Sequence, residues 1–296
     1  MGPGMPDISV VVAAFSGEAA LRRCLESLAG QADEVVAATT SSAAAVARLG
    51  ACFPTVRFLQ APTGTDVFRL RTLALDATRG DILAFTEDHC TVSPGWVEAL
   101  AGAVRDGHAM VGGPVENGLE RVRDWALFFC EYAAHIPPIS DGLAPALTGV
   151  NIAYSRKALD GCRPTWRYAF HENEVQDALA AAGHVPYRIG RPWVKSHLEA
   201  SLKEGAAHLF GGGRQYGGYR KFRSPALVRL LLPFAAPLIP VVLLWRVVSV
   251  VVTRRPRLLG VLIRALPVVM ALLLAWSAGE TVGYLAPAGP APAPEV

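Results

Sequence analysis

The first 90 residues alternate between short apolar runs and stretches with apolar residues at helical spacing. Ile8–Ala14 is a nearly continuous β-branched run, typical of a strand buried on both faces. Residues 19–29 place leucines at helical spacing and end at Gly30. The same reasoning predicts strands at 34–38, 56–59 and 81–85, and helices at 43–49 and 67–78. This alternation predicts an α/β sheet in which parallel strands are joined by helical crossovers.

Beyond residue 120 the pattern predicts fewer elements and then two long apolar stretches. Helices are expected at 125–134 and 172–182. Residues 148–154 are predicted to lead into a strand, and residues 185–189 to form another strand. Residues 230–252 and 258–278 are each long enough to cross a bilayer, which needs about 20 residues. A pair of buried helices in a soluble protein is the alternative, but so many residues with so few polar positions favour a membrane segment.

Three domains follow from this reading. Residues 1–222 are predicted to form a folded α/β domain, and residues 223–285 a membrane-associated helical segment. Residues 286–296 are rich in proline and alanine and are predicted to be disordered.

The basic residues leave two membrane topologies open. Arg220, Lys221, Arg223 and Arg229 precede the first apolar stretch, and three arginines between residues 254 and 257 separate the two stretches. Basic flanks prefer the cytoplasm, and a simple hairpin cannot place both clusters there. Three prolines between residues 233 and 240 offer another arrangement, in which the first stretch is re-entrant or interfacial and only the second spans.

Composition narrows the class of protein further. Of the 296 residues 52% are hydrophobic and only 18% are charged, with a net charge of +3, and no basic stripe interleaved with aromatic residues indicates nucleic-acid binding. The five cysteines are odd in number and lack zinc-finger spacing, which favours a reducing cytoplasm over a disulfide framework.

Glu87-Asp88-His89 places three polar side chains directly after the predicted strand 81–85. Ligands of α/β sheets bind beyond the carboxyl ends of the strands, where Phe15–Glu18 also follows the first strand. An Asp/Glu/His trio at such an edge can bind a divalent cation, which in turn neutralises a diphosphate. A polar strand end that caps the following helix is the alternative for the tripeptide alone.

The surrounding sequence resembles family 2 glycosyltransferases of the GT-A fold, a Rossmann-like mixed sheet with flanking helices. The segment from Thr78 to Val97, with its strand, acidic cluster and Ser-Pro-Gly-Trp helix start, resembles the family's Asp-x-Asp region. ISVVVAAF resembles the first nucleotide-contacting strand, TGVNIAYSRKAL the acceptor-side segment, and HENEVQDALAAAG the helix carrying the catalytic Glu-Asp motif. The four segments follow the family's order between residue 7 and about residue 220.

This resemblance implies a reaction and a set of residues. A nucleotide-diphosphate sugar would lie across the strand ends, with Mn²⁺ or Mg²⁺ bridging its phosphates, and a carboxylate would deprotonate the acceptor hydroxyl. The resemblance assigns the following residues to the nucleotide sugar: Ala13, Phe15, Glu18, Arg71, Glu87, Asp88 and Asn151. In the Gly-rich stretch after Ala207, which the family often uses as a mobile segment over the diphosphate, Arg214 is the candidate phosphate contact. An interfacial anchor is the other interpretation of that stretch.

Two departures from the family pattern affect the metal and the base. Glu87 and His89 stand where the family has two aspartates, so Asp88 and His89 are the predicted metal ligands. A distal histidine in related GT-A enzymes makes His197 the third. Glu172-Asn173 replaces Glu-Asp, which leaves Glu172 as the predicted catalytic base, with Glu174 the next carboxylate along the chain. A carboxylate here also suits the start of a helix for electrostatic reasons alone.

The sequence therefore predicts an inverting, metal-dependent hexosyltransferase attached to the cell membrane with its catalytic domain on the cytoplasmic side. The acceptor would be a glycan, either lipid-linked or part of the cell envelope, and membrane lipids would be partners. The rival from another class is a non-catalytic membrane protein that binds nucleotide sugars or serves as an assembly module. A nucleotidyltransferase lacks a Gly-rich triphosphate loop after the first strand.

Overall fold

A computed structural model describes residues 7–286, and the chain divides into two compact units. The first unit contains the residues up to 116 together with 137–197, and the second contains 117–136 together with the residues from 198 onward. Residues 117–136 and 198–222 group with the C-terminal helices in this division, and the predicted domain boundary at 222/223 stays a prediction. The predicted tail lies almost wholly outside the described residues.

Strands and helices alternate through the first half of the chain as predicted. The strands are β1 Ile8–Ala14, β2 Glu34–Thr39, β3 Val56–Gln60, β4 Ile82–Glu87, β5 Cys90–Val92, β6 Met110–Gly112, β7 Val115–Asn117, β8 Gly142–Leu143, β9 Ile152–Ser155, β10 Tyr187–Arg188 and β11 Val194–Ser196. The helices are α1 Glu18–Leu28, α2 Ala43–Cys52, α3 Val67–Asp76, α4 Trp96–Arg105, α5 Val122–Tyr132, α6 Arg156–Gly161, α7 Arg163–Trp166, α8 Glu172–Ala181, α9 Leu202–Arg223, α10 Ala226–Ala235, α11 Ile239–Arg254 and α12 Leu259–Leu285. The strand predicted over 185–189 shortens to β10.

The main sheet has eight strands in the order β3-β2-β1-β4-β9-β6-β10-β8. The first four are parallel, and β9 runs antiparallel to both β4 and β6, so the sheet is mixed. A second sheet has the order β5-β11-β7, with β11 antiparallel to β5. This is the mixed α/β sheet with flanking helices that the sequence predicts.

The centre of the main sheet brings β1 and β4 side by side. Both strands are buried along their whole length, which explains their continuous apolar sequences. They pair in parallel with Ala13 opposite Glu87, so both strands end at the same edge. The polar residues that follow each strand therefore share one edge of the sheet.

Four aromatic side chains fill the core below this edge. Phe85 of β4 stacks on Phe170 with ring centroids 4.8 Å apart, and Tyr154 of β9 lies edge-on to Phe85 at 5.5 Å. Trp166 of α7 is buried beside Phe170. Stacked and edge-on aromatic pairs stabilise a core beyond simple burial. The cluster fixes the loop before α8 against the sheet.

The second unit contains two helical segments that are long and apolar enough to cross a membrane. They are Ala226–Arg254, with 29 residues, and Pro256–Leu285, with 30 residues. Only 17% and 28% of their most apolar stretches are buried within the protein, whereas the core helices of soluble proteins are mostly buried. The prolines break the first segment: Pro233 lies inside α10, Pro237 in a 3-10 turn, and Pro240 in the first turn of α11.

The Gly-rich stretch after Ala207 is helical, and its role as a mobile segment stays a prediction. It forms most of α9, a 22-residue helix whose first turn is closed by a capping box between Ser201 and Glu204. Glycines four residues apart on each helix let the backbones of α9 and α12 approach closely. A side chain at Gly213 or Gly217 would meet the α12 backbone, and one at Gly279 or Gly283 would meet the α9 backbone.

We expect Gly213→Ala to lower the free energy of unfolding by a few kcal/mol, because its Cβ would meet the carbonyl of Trp276. This loss opposes the gain of about 1 kcal/mol that alanine brings to a helix interior. Gly211→Ala in the same helix is the matched control, because its Cβ would have open space. Thermal unfolding in detergent measures both. Equal stability of the two variants would contradict close packing at Gly213.

Candidate active site

The carboxyl ends of β1 and β4 are connected through Asp88. The backbone N–H of Asp88 donates to the Ala13 carbonyl at 3.1 Å, and its Oδ2 accepts from the Ser16 N–H at 2.6 Å. The Phe15 ring, 38% exposed, lies 6.0 Å from the His89 ring between centroids. The structure thus brings together Ala13, Phe15, Asp88 and His89, all of which the sequence assigned to the nucleotide-sugar and metal site.

Arg71 joins two further predicted residues into one ion-pair network. Its Nη2 lies 2.5 Å from Glu87 Oε1, and its Nη1 lies 2.5 Å from Glu172 Oε2. The Arg71 side chain is 5% exposed, and Glu87 is almost as buried. A guanidinium can grip two carboxylates at once because its donors form a rigid fork. One residue of α3 therefore fixes the predicted base relative to the end of β4.

The surroundings of Arg71 leave it little freedom to move. Asp66 caps α3 by accepting from the Arg69 N–H, and Arg71 lies one turn further along that helix. Its guanidinium lies 5.7 Å from the centre of the Phe68 ring. A Cβ at Gly149 would meet the guanidinium, so a larger residue there would have to displace Arg71 from its two carboxylates. The sequence reading named neither Phe68 nor Gly149.

Glu172 lies beside Arg71 because the loop before α8 is hydrogen-bonded to α3. The Phe170 N–H donates to the Phe68 carbonyl at 2.9 Å, and Thr72 Oγ1 donates to the Trp166 carbonyl at 2.9 Å. The His171 ring lies against the Phe68 ring at an angle of 36°, with ring centroids 4.2 Å apart. Glu172 then opens α8, and its side chain is 26% exposed, so it can be reached from solvent.

Asp88 carries an uncompensated buried oxygen. Burial raises the pKa of its carboxyl from the ordinary 3.8 to about 7, while hydrogen bonds from Ser16 act in the opposite direction. Within residues 7–286, Asp88 Oδ1 has no hydrogen-bond partner. A buried carboxylate oxygen of this kind is suited to a cation.

The predicted three-residue metal set is only partly assembled. The backbone N–H of His197 donates to the His89 carbonyl at 2.8 Å. The pairing of β11 with β5 therefore brings the backbones of the two histidines together. His197 Nε2, however, lies 3.0 Å from Thr91 Oγ1. In the described part of the chain, no three His, Cys, Asp or Glu side chains are grouped closely enough to hold a metal ion.

The residues present nevertheless fit a cation that arrives with a diphosphate. Such a cation takes several ligands from phosphate oxygens and water, so one or two protein carboxylates suffice. Asp88 Oδ1 is the oxygen suited to this role, with His89 beside it. Glu87 lies 3.5 Å from His89 Nδ1 through its Oε2, while its other oxygen contacts Arg71.

Of three other predicted residues, Glu18 and Asn151 have structural contacts and Arg214 is exposed. Glu18 forms a two-point ion pair with Arg48 at 2.5 and 3.1 Å. Asn151 is fully buried: its Oδ1 accepts from Trp96 Nε1 at 2.8 Å, and its Nδ2 donates to the carbonyls of two prolines. Arg214 is exposed on α9 in the second unit. Contact of these three with a nucleotide sugar stays a prediction, and their contacts do not support it for Asn151.

Comparison with known families now decides the class of protein. The family model described as glycosyl transferase family 2 matches residues 9–162, which is just over half of the chain. The chain belongs to glycosyl transferase family 2. No curated protein matches the chain.

Family 2 membership supports glycosyltransferase activity and implies a nucleotide-sugar donor and an acceptor. The matched region contains β1, α3 and the cluster after β4, and with them Arg71, Glu87, Asp88 and His89. Glu172, His197 and Arg214 lie beyond the match. Glu172 is connected to the matched region by its ion pair with Arg71.

We expect Arg71→Met to lower the free energy of unfolding by about 3–5 kcal/mol, because it leaves the buried Glu87 carboxylate without its partner. Urea unfolding followed by tryptophan fluorescence measures the loss. Arg48→Met removes the exposed arginine that pairs with Glu18 and should change stability little. Equal effects of the two substitutions would contradict a special role for the buried pair.

The raised pKa of Asp88 predicts a pH-dependent stability. Between about pH 4 and pH 7 the folded protein holds a proton on Asp88 that the unfolded chain releases. Its contribution to stability is therefore present at low pH and lost as the pH rises through this window. In chelator, we expect the unfolding free energy of the wild type relative to Asp88→Asn to fall by a few kcal/mol from pH 4 to pH 8. A difference that does not change with pH would be the contrary result.

Proposed function

We propose that this family 2 glycosyltransferase is an inverting, metal-dependent hexosyltransferase with Glu172 as its base. The observation that carries the proposal is the Arg71 network, which joins Glu172 to Glu87 at the sheet edge where β1 and β4 end. This edge is where nucleotides bind in open α/β sheets. A donor site and a base therefore lie within the reach of one arginine side chain.

The donor would bind across the ends of β1 and β4. Phe15 offers a partly exposed ring to the base or ribose, and Asp88 with His89 would hold the cation of the diphosphate. The cation, Mn²⁺ or Mg²⁺, supplies the positive charge that stabilises the leaving diphosphate. The Arg71 guanidinium is committed to two carboxylates, so its role is to position them rather than to bind phosphate.

Glu172 would accept the proton of the acceptor hydroxyl. As that oxygen forms a bond to the anomeric carbon, the bond from this carbon to the diphosphate oxygen breaks with inversion, and the nucleoside diphosphate leaves. Glu172 Oε2 is held by Arg71, and the side chain is open to solvent on part of its surface. Asn173 cannot serve as a base, so Glu172 is the carboxylate at this position of α8.

The second unit would attach the enzyme to the membrane. The 27 residues of α12 make a helix about 40 Å long, close to the thickness of a bilayer with its headgroups. Exposed side chains on α10 and α11 include Phe234 and Trp245, at 83% and 71% exposure. Membrane attachment suits a lipid-linked or cell-envelope glycan as acceptor. We place the first unit on the cytoplasmic side, where nucleotide sugars are made available.

A binding module without turnover is the second candidate function. Asn173 replaces the carboxylate that many relatives carry, and Arg71 occupies one oxygen of Glu172. The same geometry would then hold a nucleotide sugar without transferring it. The two functions differ in whether the protein transfers the sugar after it has bound the donor.

The test is a panel of uridine, guanosine and thymidine diphosphate sugars with Mn²⁺, followed by release of nucleoside diphosphate. We expect release with one donor and a loss of about 10²–10⁴-fold in Glu172→Gln. Glu174→Gln, two residues along the same helix, is the matched control and should retain activity. Isothermal titration checks that both variants still bind the donor.

Full activity of Glu172→Gln with donor binding intact would refute its role as base. Donor binding without release in the wild type would favour the binding module. Binding of none of the donors would contradict the proposed site.

A further inference from the structure

The turn between α11 and α12 concentrates positive charge without acidic neighbours along the chain. Arg254, Arg255 and Arg257 lie in the turn, and Arg264 follows two helical turns later. From residue 205 to residue 279 the chain contains ten Lys or Arg residues and no Asp or Glu. Within the described residues, Arg254, Arg257 and Arg264 form no ion pair with a carboxylate. The turn is therefore suited to an external anion.

Arg254 holds the turn in place. Its Nη1 donates to the Ala134 carbonyl at 2.9 Å, which ties the end of α11 to the turn after α5. The N–H of Arg255 donates to the Val251 carbonyl at 2.9 Å, closing the last turn of α11. Arg257 is exposed and adds its charge to this ordered backbone.

Arg220 and Arg229, from the basic cluster that precedes the first apolar stretch, have internal partners. Arg220 pairs with Glu280 at 3.2 Å and also contacts the Tyr284 hydroxyl. Arg229 donates to the carbonyls of Ser224 and Phe222 at 2.7 and 2.9 Å. Arg220 of the first cluster therefore has a carboxylate partner, whereas among the described residues no carboxylate pairs with Arg254, Arg257 or Arg264.

Exposed apolar side chains lie close in sequence to the arginines of this turn. Val252, Leu259 and Ile263 are 50%, 39% and 61% exposed. A ligand that satisfies both the arginines and these side chains carries a negative headgroup and a hydrocarbon chain. Inorganic phosphate and nucleotides satisfy only the charge.

We infer that the α11–α12 turn binds the phosphate of an anionic phospholipid, with the acyl chains against Val252, Leu259 and Ile263. The inference rests on the membrane attachment within the proposed function and adds the class of lipid. It gives the second basic cluster its own ligand, whichever membrane topology the helices adopt.

The test is thermal unfolding of the full chain in neutral detergent with added phosphatidylglycerol, phosphatidylcholine or inorganic phosphate. A ligand of the folded state raises the unfolding midpoint. We expect phosphatidylglycerol to raise it by several degrees and phosphatidylcholine to leave it unchanged. The triple variant Arg254→Gln, Arg255→Gln, Arg257→Gln should lose most of the shift. The matched control removes the same charge from the first unit: Arg23→Gln, Arg163→Gln, Arg188→Gln.

Arg257→Gln alone serves if the triple variant does not fold, because Arg257 is exposed; we expect it to weaken the shift. An equal shift with inorganic phosphate would overturn the lipid assignment, and a full shift in the triple variant would overturn the site. Nucleotide-sugar binding is measured on the same samples. If phosphatidylglycerol does not shift the midpoint of the wild type while donor binding is intact, this inference alone is refuted. Absence of donor binding in the wild type refutes the proposed function.

Discussion

The buried guanidinium of Arg71 is the interaction on which the rest of the site depends. It lies between Glu87 and Glu172, which are 85 residues apart in the chain, at 2.5 Å from each. A buried carboxylate is costly unless it is paired, so the network requires all three residues together. Gly149 leaves the space for the guanidinium, and Phe68 lies beside it. The aromatic core below β4 holds the loop that delivers Glu172.

A different constraint organises the second unit. The backbones of α9 and α12 meet at Gly213, Gly217, Gly279 and Gly283, where no side chain fits. Close approach of this kind is a way to pack helices without relying on large apolar side chains. Glu280 is buried at the same contact and bonded to Arg220 and Trp276. Large apolar side chains stay exposed on α10, α11 and α12, among them Phe234, Trp245 and Leu274.

Local patterns predicted most of the fold and the edge of the sheet that carries the site. Ile8–Ala14 is a strand over the predicted residues, and Glu87-Asp88-His89 lies at the carboxyl end of its neighbour. The Arg71–Glu172 pair was not predictable, because its partners are distant in sequence and nothing local links them. The packing of α9 on α12 was not predicted, although glycines four residues apart in both segments were the signal for it.

The proposed function requires a nucleoside diphosphate to bind where β1 and β4 end. Hydrogen–deuterium exchange of the full chain in detergent, with and without uridine, guanosine or thymidine diphosphate and Mn²⁺, tests it most directly. We expect one nucleotide to slow exchange in residues 15–18 and 87–91, where the Ser16 N–H donates to Asp88. Protection confined to other segments, or no protection by any of the three, would contradict it.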